Sequence, residues 1–337
     1  MDNKNYKSAG VDLSFSDKLT EKILKIVNNN SNPNDLGFFS ASTTISEDIT
    51  VSSSVDGVGT KSRIFKFYGD YFNLGHDIVN HCVNDILPSG AKPLIFLDYL
   101  AFSDIDEKHI LRVVEGISDA CSKVGCSLAG GETAQMGGIY KAGDLEVVGF
   151  ILGIVDENKK PQKNNINPKD LILAIPSSGL HTNGYSLVRK IFDIDNDPKI
   201  LDSFVPGTSS SLGDLLTVPH MNYFSLLWDY LDKIKSLSHI TGGGIVGNVV
   251  RSIPTTVKAI INTDTWNVPP LFQYIQKKGN ISDKEMFEVF NMGLGMLLII
   301  DPQYKKLFID TDQSINEVGQ IEIRGENELS VILEGLN

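Results

Sequence analysis

The residues from 51 to 61, Val-Ser-Ser-Ser-Val-Asp-Gly-Val-Gly-Thr-Lys, end a strand-like run with an acid, two glycines, a hydroxyl and a lysine in close succession. Asp56 can hold a hard cation through oxygen, Gly57 and Gly59 let the backbone approach a ligand, Thr60 adds a hydroxyl, and Lys61 can neutralise phosphate. That set suits a polyphosphate and its metal. A glycine turn with solvated ends is the plainer reading. The order fits neither Gly-x-x-x-x-Gly-Lys-Ser/Thr nor Gly-x-Gly-x-x-Gly, which disfavours a standard P-loop or Rossmann site.

Three further polar clusters punctuated by glycine extend the pattern. Asn84-Asp85 closes an apolar helical stripe. It reads either as a solvated last turn or as an acid set against the unfavourable end of the helix dipole, where a cation would relieve it. Gly130-Gly131-Glu132-Thr133 follows a short apolar strand, with Glu132 expected at the strand end. Asp56, Asp85 and Glu132 together are the carboxylates that one Mg²⁺ or a pair would require, since that ion prefers carboxylate and phosphate oxygens to His or Cys. In Ser177-Ser178-Gly179-Leu180-His181-Thr182-Asn183-Gly184 a strand end becomes a polar turn before a helix whose first amides could hold an anion. His181 is its sharpest titratable group, and reads as a proton-transfer residue or as a structural hydrogen-bonder. Gly242 and Gly243, in His239-Ile240-Thr241-Gly242-Gly243-Gly244, repeat the idea before a second helix, with a flexible hinge as the alternative. There is no Gly-x-Ser-x-Gly elbow and no His-Glu-x-x-His pattern, so hydrolase and zinc-protease readings lose support.

The elements that must position these residues follow from hydrophobic periodicity. Leu19, Ile23, Ile26 and Val27 mark a short amphipathic helix, broken at Asn28 to Asp35. Ile49 to Val55 reads as a strand. Leu74, Ile78, Val79, Cys82, Val83, Ile86 and Leu87 form a helical stripe stopped by Pro88 and Gly90, and Pro93 to Phe102 is strand-like. Ile110 to Val124 gives another helical face, and Cys126 to Ala129 and Val147 to Val155 give buried strands. The polar, Pro- and Lys-containing stretch Asp156 to Lys169 reads as a boundary, dividing the chain into residues 1–160 and 161–337. Beyond it Leu171 to Ile175, Ala259 to Ile261 and Met296 to Ile300 read as strands, and Tyr185 to Phe192, Tyr223 to Ile234 and Leu271 to Lys277 as helices. The expected class is α/β or α+β, with chemistry at strand ends.

Composition narrows the function. The chain has 337 residues, a formal net charge of -12 and 41% hydrophobic residues, which suits two ordinary globular domains and argues against a nucleic-acid partner. An acidic protein that binds nucleotide phosphate must recruit cations locally. Three cysteines, Cys82, Cys121 and Cys126, lack paired metal-ligand spacing and read as reduced, buried thiols. With no signal-like segment and no membrane-length apolar run, a cytoplasmic protein without a membrane partner is expected.

With these clusters in hand, the chain closely resembles the AIR synthetase family, the phosphoribosylformylglycinamidine cyclo-ligases of purine biosynthesis. The resemblance rests on Tyr6-Lys7-Ser8-Ala9-Gly10-Val11-Asp12, Asp56 to Lys61, Cys82-Val83-Asn84-Asp85, Phe96-Leu97-Asp98-Tyr99, Gly130 to Thr133, Ser178 to Arg189, His239 to Gly244 and Asn291 to Met296. One departure is Pro219-His220-Met221-Asn222-Tyr223, where the family usually has Pro-Thr-Arg-Ile-Tyr. The resemblance implies ATP-dependent ring closure of formylglycinamidine ribonucleotide, with Mg²⁺. It also implies a homodimer whose N-terminal domains join their strands into a barrel, followed by a mixed C-terminal domain. Carried across, Asp56, Asp85 and Glu132 become metal candidates. Asp56, Gly57, Gly59, Thr60, Lys61, Gly130, Gly131, Gly242 and Gly243 become nucleotide-site candidates, and His181, Asp85 and Asn183 become catalytic candidates. Two other readings remain: a related ATP-using enzyme resembling selenophosphate synthetase or thiamine-phosphate kinase, and a non-catalytic nucleotide-binding homologue.

Overall fold

The computed structural model describes residues 9–10, 13–28 and 39–336. Most of the segment Tyr6 to Asp12, and the break from Asn29 to Asp35, lie outside the described residues. Strands β1 (Ala41–Ser46), β2 (Ile49–Gly57), β3 (Ala91–Phe102), β4 (Ser127–Gln135) and β5 (Leu145–Val155) form one sheet in the order β1-β2-β5-β3-β4. Strands β6 (Leu171–Pro176), β7 (Ile234–His239), β8 (Val257–Asn262), β9 (Leu294–Ile300), β10 (Asn316–Ile323) and β11 (Val331–Glu334) form a second, ordered β11-β8-β10-β6-β9-β7. Among the described strands only β3–β4 and β8–β11 pair in parallel, so both sheets are mixed and mainly antiparallel. Neither sheet closes on itself.

Period-two alternation sets the first sheet's two faces. Val147, Ile151 and Val155 of β5 are buried with Phe96 and Leu100 of β3, against the helix Phe72–Ile86. That helix buries its apolar stripe, from Leu74 to Ile86, and crosses the helix Glu107–Lys123 at Gly75 and Gly116. A Cβ on Gly75 would lie 2.3 Å from the Ile117 nitrogen, so the backbones touch and only glycine fits. The opposite face of the sheet stays open: Val55, Leu97, Phe150 and Ile154 are 66%, 38%, 38% and 43% exposed.

The second sheet holds its own core, centred on β6, β8, β9 and the helices Tyr185–Phe192, Gly244–Ser252 and Pro270–Gly279. The apolar cluster of the first sheet continues into Leu173, Tyr223, Leu237 and Met296, so the sheets share a packed boundary. Two sequence expectations change here. The stretch Tyr223 to Ile234 is a short helix, Phe224–Leu227, then a 3-10 segment, Trp228–Lys233, whose last residue leads into β7. The glycine pair 130–131 lies inside β4 rather than after it, because β4 runs on to Gln135 along β3 as an edge strand.

Candidate active site

The helix Phe72–Ile86 positions the site through its polar side. Asn73, Asp77, Asn80 and Asn84 recur at helical spacing and clasp the backbone of residues 217–223. Asn73 donates to the Thr217 carbonyl (3.1 Å), Asn80 to the His220 carbonyl (2.7 Å) and Asn84 to the Met221 carbonyl (2.8 Å). The His220 and Tyr223 amides donate back to Asp77 and Asn84. These bonds fix the second domain's segment on the first domain's helix.

Lys61 belongs to this clasp and is corrected here as a phosphate contact. Its ammonium is fully buried, 2.7 Å from Asp77 Oδ1 and 2.7 Å from the Val218 carbonyl, so it neutralises a buried carboxylate instead of facing a ligand. Burial pushes the Asp77 carboxyl up to about 6 against the pull of Lys61, and burial lowers Lys61.

One turn along, His81 and Asp85 face β2 and the end of β7. Ser54 Oγ donates to Asp85 Oδ2 (3.0 Å) and His239 Nδ1 lies 2.8 Å from Asp85 Oδ1, so both carboxylate oxygens are occupied. Asp85 is therefore a buried anchor for His239, with one hydrogen bond on each oxygen. His81 Nε2 meets Asp56 Oδ2 at 3.0 Å, and its Nδ1 meets Thr182 Oγ1 at 2.8 Å. Burial alone would lower His81, but the Asp56, Asp85 and Asp77 carboxylates prevail and push it up to about 9. Burial works against ionisation of Asp56 too, yet His81 and the Gly57 amide hold it below its ordinary value.

The remaining residues sort by position. Asp56, at the mouth of the first loop, keeps a side chain 41% exposed and is the carboxylate open to a cation. Gly57 ends β2, while Gly59 and Thr60 start the short 3-10 turn, and Thr60 Oγ1 lies 3.0 Å from Ser186 Oγ, so the first loop abuts the start of the helix Tyr185–Phe192. His181 is buried at φ +59°, its Nε2 accepting the Ser178 amide (3.3 Å) and its ring stacked on His220 at 3.9 Å. Burial, then the neighbouring His239 and Lys61 charges, push His181 well down, so it is a neutral imidazole. Asn183 lies against the Gly242-Gly243 loop, and its buried Nδ2 has no partner. An orphaned donor of that kind costs about 1–3 kcal/mol unless an acceptor arrives. Asp56, Asp85, His181, Asn183, Gly242 and Gly243 thus converge.

Glu132 does not join them. Register carries Gly57 to Val148, Tyr99 and Glu132 across the sheet, three strand spacings or about 14 Å apart, and on the face away from Asp85. Gly131 shares the inner row with Asp56, Gly149 and Asp98, and a Cβ on Gly131 would lie 2.4 Å from Asp98 Oδ1. Gly130 and Gly131 therefore accommodate the approach of β3. Asp98, His81 and His220 were missed as site residues. For His81 the readable signal is the spacing Asp77, His81, Asp85 on one helix, which looks the same when such a face is solvated; Asp98 and His220 carry no comparable local signal.

Two family models match almost the whole described chain: the N-terminal domain of AIR synthase related proteins over residues 39–155 and its C-terminal domain over residues 167–332. The chain belongs to the AIR synthase-related family. Within it, the chain is 39% identical over 323 residues to a phosphoribosylformylglycinamidine cyclo-ligase of Thermoanaerobacter pseudethanolicus, covering 94% of each. It is 40% identical over 304 residues to the chloroplastic cyclo-ligase of Arabidopsis thaliana, covering 90% of this chain and 76% of that one. Among solved structures, thiamine monophosphate kinase of Aquifex aeolicus matches with a TM-score of 0.63 at 14% identity, covering 95% and 97% of the two chains. HypE in a HypE–HypF complex matches at 0.64 and 16%, with the same coverage. At such identities these two show the family's fold alone. Among the described residues no helix is long and apolar enough to cross a membrane.

Proposed function

We propose that the chain closes the imidazole ring of aminoimidazole ribonucleotide from formylglycinamidine ribonucleotide, using ATP and releasing ADP and phosphate. The observation that carries this is full-length similarity near 40% to relatives named as this cyclo-ligase, joined to a site where the loops singled out by chemistry meet. In the reaction ATP phosphorylates the formyl-amide oxygen, a ring-forming nitrogen attacks that carbon, and phosphate leaves. Phosphoryl transfer mainly needs positioning and neutralised charge. The Gly59 amide and the glycine-loop amides at 242–243 are suited to phosphate oxygens, and the unpartnered Asn183 amide is suited to a substrate oxygen.

Mg²⁺ fits this site at one carboxylate. Asp56 presents an exposed edge, which agrees with an ion held by one or two carboxylates plus phosphates, whereas Asp85 is buried and Glu132 is distant. When bound, the ion would neutralise the transferring phosphate. His81 would hold Asp56 in place beneath it, and neutral His181 would hold the turn that carries Asn183. We take residues 1–160 and 161–337 as the two domains. The open apolar face around Val55, Leu97 and Phe150 is suited to a second copy of the chain, which supports a homodimer with joined sheets, and we take the cytoplasm as its place.

The test is ADP release from ATP in the presence of formylglycinamidine ribonucleotide, with and without Mg²⁺, and with thiamine monophosphate as the competing substrate. Asn183→Ala is expected to lower kcat by about 100-fold or more at unchanged melting temperature, and Asp56→Asn to lower kcat as far while also lowering the melting temperature, because it removes the partner of the buried His81 cation. ADP release that ignores formylglycinamidine ribonucleotide would overturn the reading.

A further inference from the structure

The helix Glu107–Lys123 ends in Cys121-Ser122-Lys123-Val124-Gly125-Cys126, a glycine turn with a cysteine at either end. The Cys126 amide donates to the Cys121 carbonyl (2.9 Å) and the Gly125 amide to the Ser122 carbonyl (3.2 Å), with Gly125 at φ +67°. Nested bonds of this kind bring the residue two past the C-cap, Val124, against the residue three before it, and the side chains of the two commonly touch. Here both are cysteine. The 2.9 Å bond between their backbones also keeps the two Cα atoms no further apart than the about 6.8 Å that a disulfide spans.

The two sulfurs are in contact. The Cys121 thiol hydrogen-bonds to the Cys126 sulfur, which lowers Cys126 below an ordinary thiol and raises Cys121, so Cys126 is the first of the pair to ionise. Both are reduced and buried, Cys121 1% exposed and Cys126 7%. The outer side of the turn is open, since a Cβ on Gly125 would meet no atom within 4 Å. Cys82 is a different kind of thiol: it is fully enclosed, donates to the Gly149 carbonyl (3.6 Å), and is pushed well up by burial. Neither the seam between the domains nor the Asp56 loop uses Cys121 or Cys126.

We propose that Cys121 and Cys126 form a dithiol that closes to an intrachain disulfide when it meets a small organic disulfide such as oxidised glutathione. The Cys126 thiolate attacks one sulfur of the small disulfide and displaces the other half as a thiolate, leaving a mixed disulfide on Cys126. Cys121 passes its proton to the displaced thiolate and attacks the Cys126 Sγ, and the second half leaves and is protonated in turn. Two protein thiols are thereby oxidised, one small disulfide is reduced to two thiols, and those thiols carry off both protons. The second attack is intramolecular between sulfurs already in contact, so the mixed disulfide does not persist. The bond fastens the last turn of the helix to Cys126, directly ahead of β4, the edge strand that holds Gly130, Gly131 and Glu132. In a reducing compartment such a bond is transient and records oxidation.

The experiment exposes the folded, full-length protein to oxidised glutathione in mildly alkaline buffer, quenches it with an alkylating agent in denaturant, and measures the intact mass. The expected result is the loss of two of the three alkylatable thiols, a chain lighter by two hydrogens at the unalkylated pair, and no retained glutathione. Trypsin cuts after Lys123, between the two cysteines, so peptides 113–123 and 124–141 should run as one mass until a reductant parts them. Cys121→Ser is expected to stall as a glutathione adduct on Cys126, while Cys82→Ser closes the bond as the parent does. In the parent, Cys82 stays alkylatable, which marks the chain as folded throughout. Wild-type protein that keeps all three thiols, or holds a lasting adduct on Cys126, overturns the proposal without any variant, as does a bond to Cys82. No arm measures ring closure, so the cyclo-ligase reading stands or falls separately.

Discussion

Replacing Lys61 by methionine separates two roles that the sequence alone leaves open. If the ammonium met phosphate, the variant would fold normally and lose affinity for ATP. The structure instead puts Nζ 2.7 Å from Asp77 Oδ1 and 2.7 Å from the Val218 carbonyl, with both charged side chains fully enclosed. In Lys61→Met, Asp77 keeps the His220 amide but loses its ion-pair partner, and its Oδ2 already lacks a partner. Breaking one side of a buried pair costs about 3–5 kcal/mol. The pH dependence has a definite sign. Asp77 already stands at about 6 in the fold, above its ordinary 3.8, and loss of Lys61 raises it further. A carboxyl raised by folding is tolerated when protonated, so the variant's deficit is small near pH 5 and grows as pH rises through 6 and beyond. Urea midpoints at both ends of that range, for Lys61→Met, Asp77→Asn and the double variant, give the coupling directly. The double variant should recover at least about 2 kcal/mol of the summed losses. A Lys61→Met protein with an unchanged midpoint and a raised KM for ATP would refute the argument and return the lysine to the phosphate.

His81 gives a second pH signature, in metal-free buffer. Its folded value near 9 exceeds the ordinary 6.5, so its stabilisation is complete below 6.5 and is lost as pH rises through 9, on the order of 3 kcal/mol. Thermal melts across that window should show a slope that His81→Gln flattens, and an equal slope in both proteins would count against the Asp56–His81 pair. Gly75→Ala would drive a methyl to 2.3 Å from the Ile117 nitrogen and 2.4 Å from the Val113 carbonyl, so a loss of about 3 kcal/mol is expected in a denaturant titration. Val55→Asp places a charge on the open apolar face and should convert a dimer to monomer in sedimentation without lowering the melting temperature of the isolated chain by much. Identical masses for the variant and its parent would remove that face from the dimer.

Much of the first domain was legible because its elements obey simple periods. Ile49–Gly57, Phe72–Ile86, Ala91–Phe102 and Leu145–Val155 each extend the sequence reading by a few residues at most. Strands with alternating polar residues escaped notice: β7 reads Ile-Lys-Ser-Leu-Ser-His, and β10 reads Asn-Glu-Val-Gly-Gln-Ile-Glu-Ile. In β7 Ser236 satisfies its hydroxyl on the Ser252 carbonyl, at the end of the helix Gly244–Ser252, which lets serine lie in a buried strand that a hydropathy pattern does not mark.

The helix Phe72–Ile86 shows why the site was harder to read than the fold. Its apolar stripe announces a core, and its other side, with Asn73, Asp77, Asn80, His81, Asn84 and Asp85, has the composition of a solvated face. Five of those six are buried, Asn73 only partly, because a segment 137 to 144 positions later in the chain supplies matching carbonyls. Nothing local distinguishes a polar stripe that meets water from one that meets another domain's backbone. The difference lies in donor geometry: side-chain amides on one helical face, at 73, 80 and 84, satisfy the carbonyls of Thr217, His220 and Met221, and this seam then carries Asp85 and His81 to the mouth of the Asp56 loop. The carboxylate that keeps an exposed edge for a ligand, Asp56, is consequently the one on a strand end, while the carboxylates on the helix are buried and hold the domains in register.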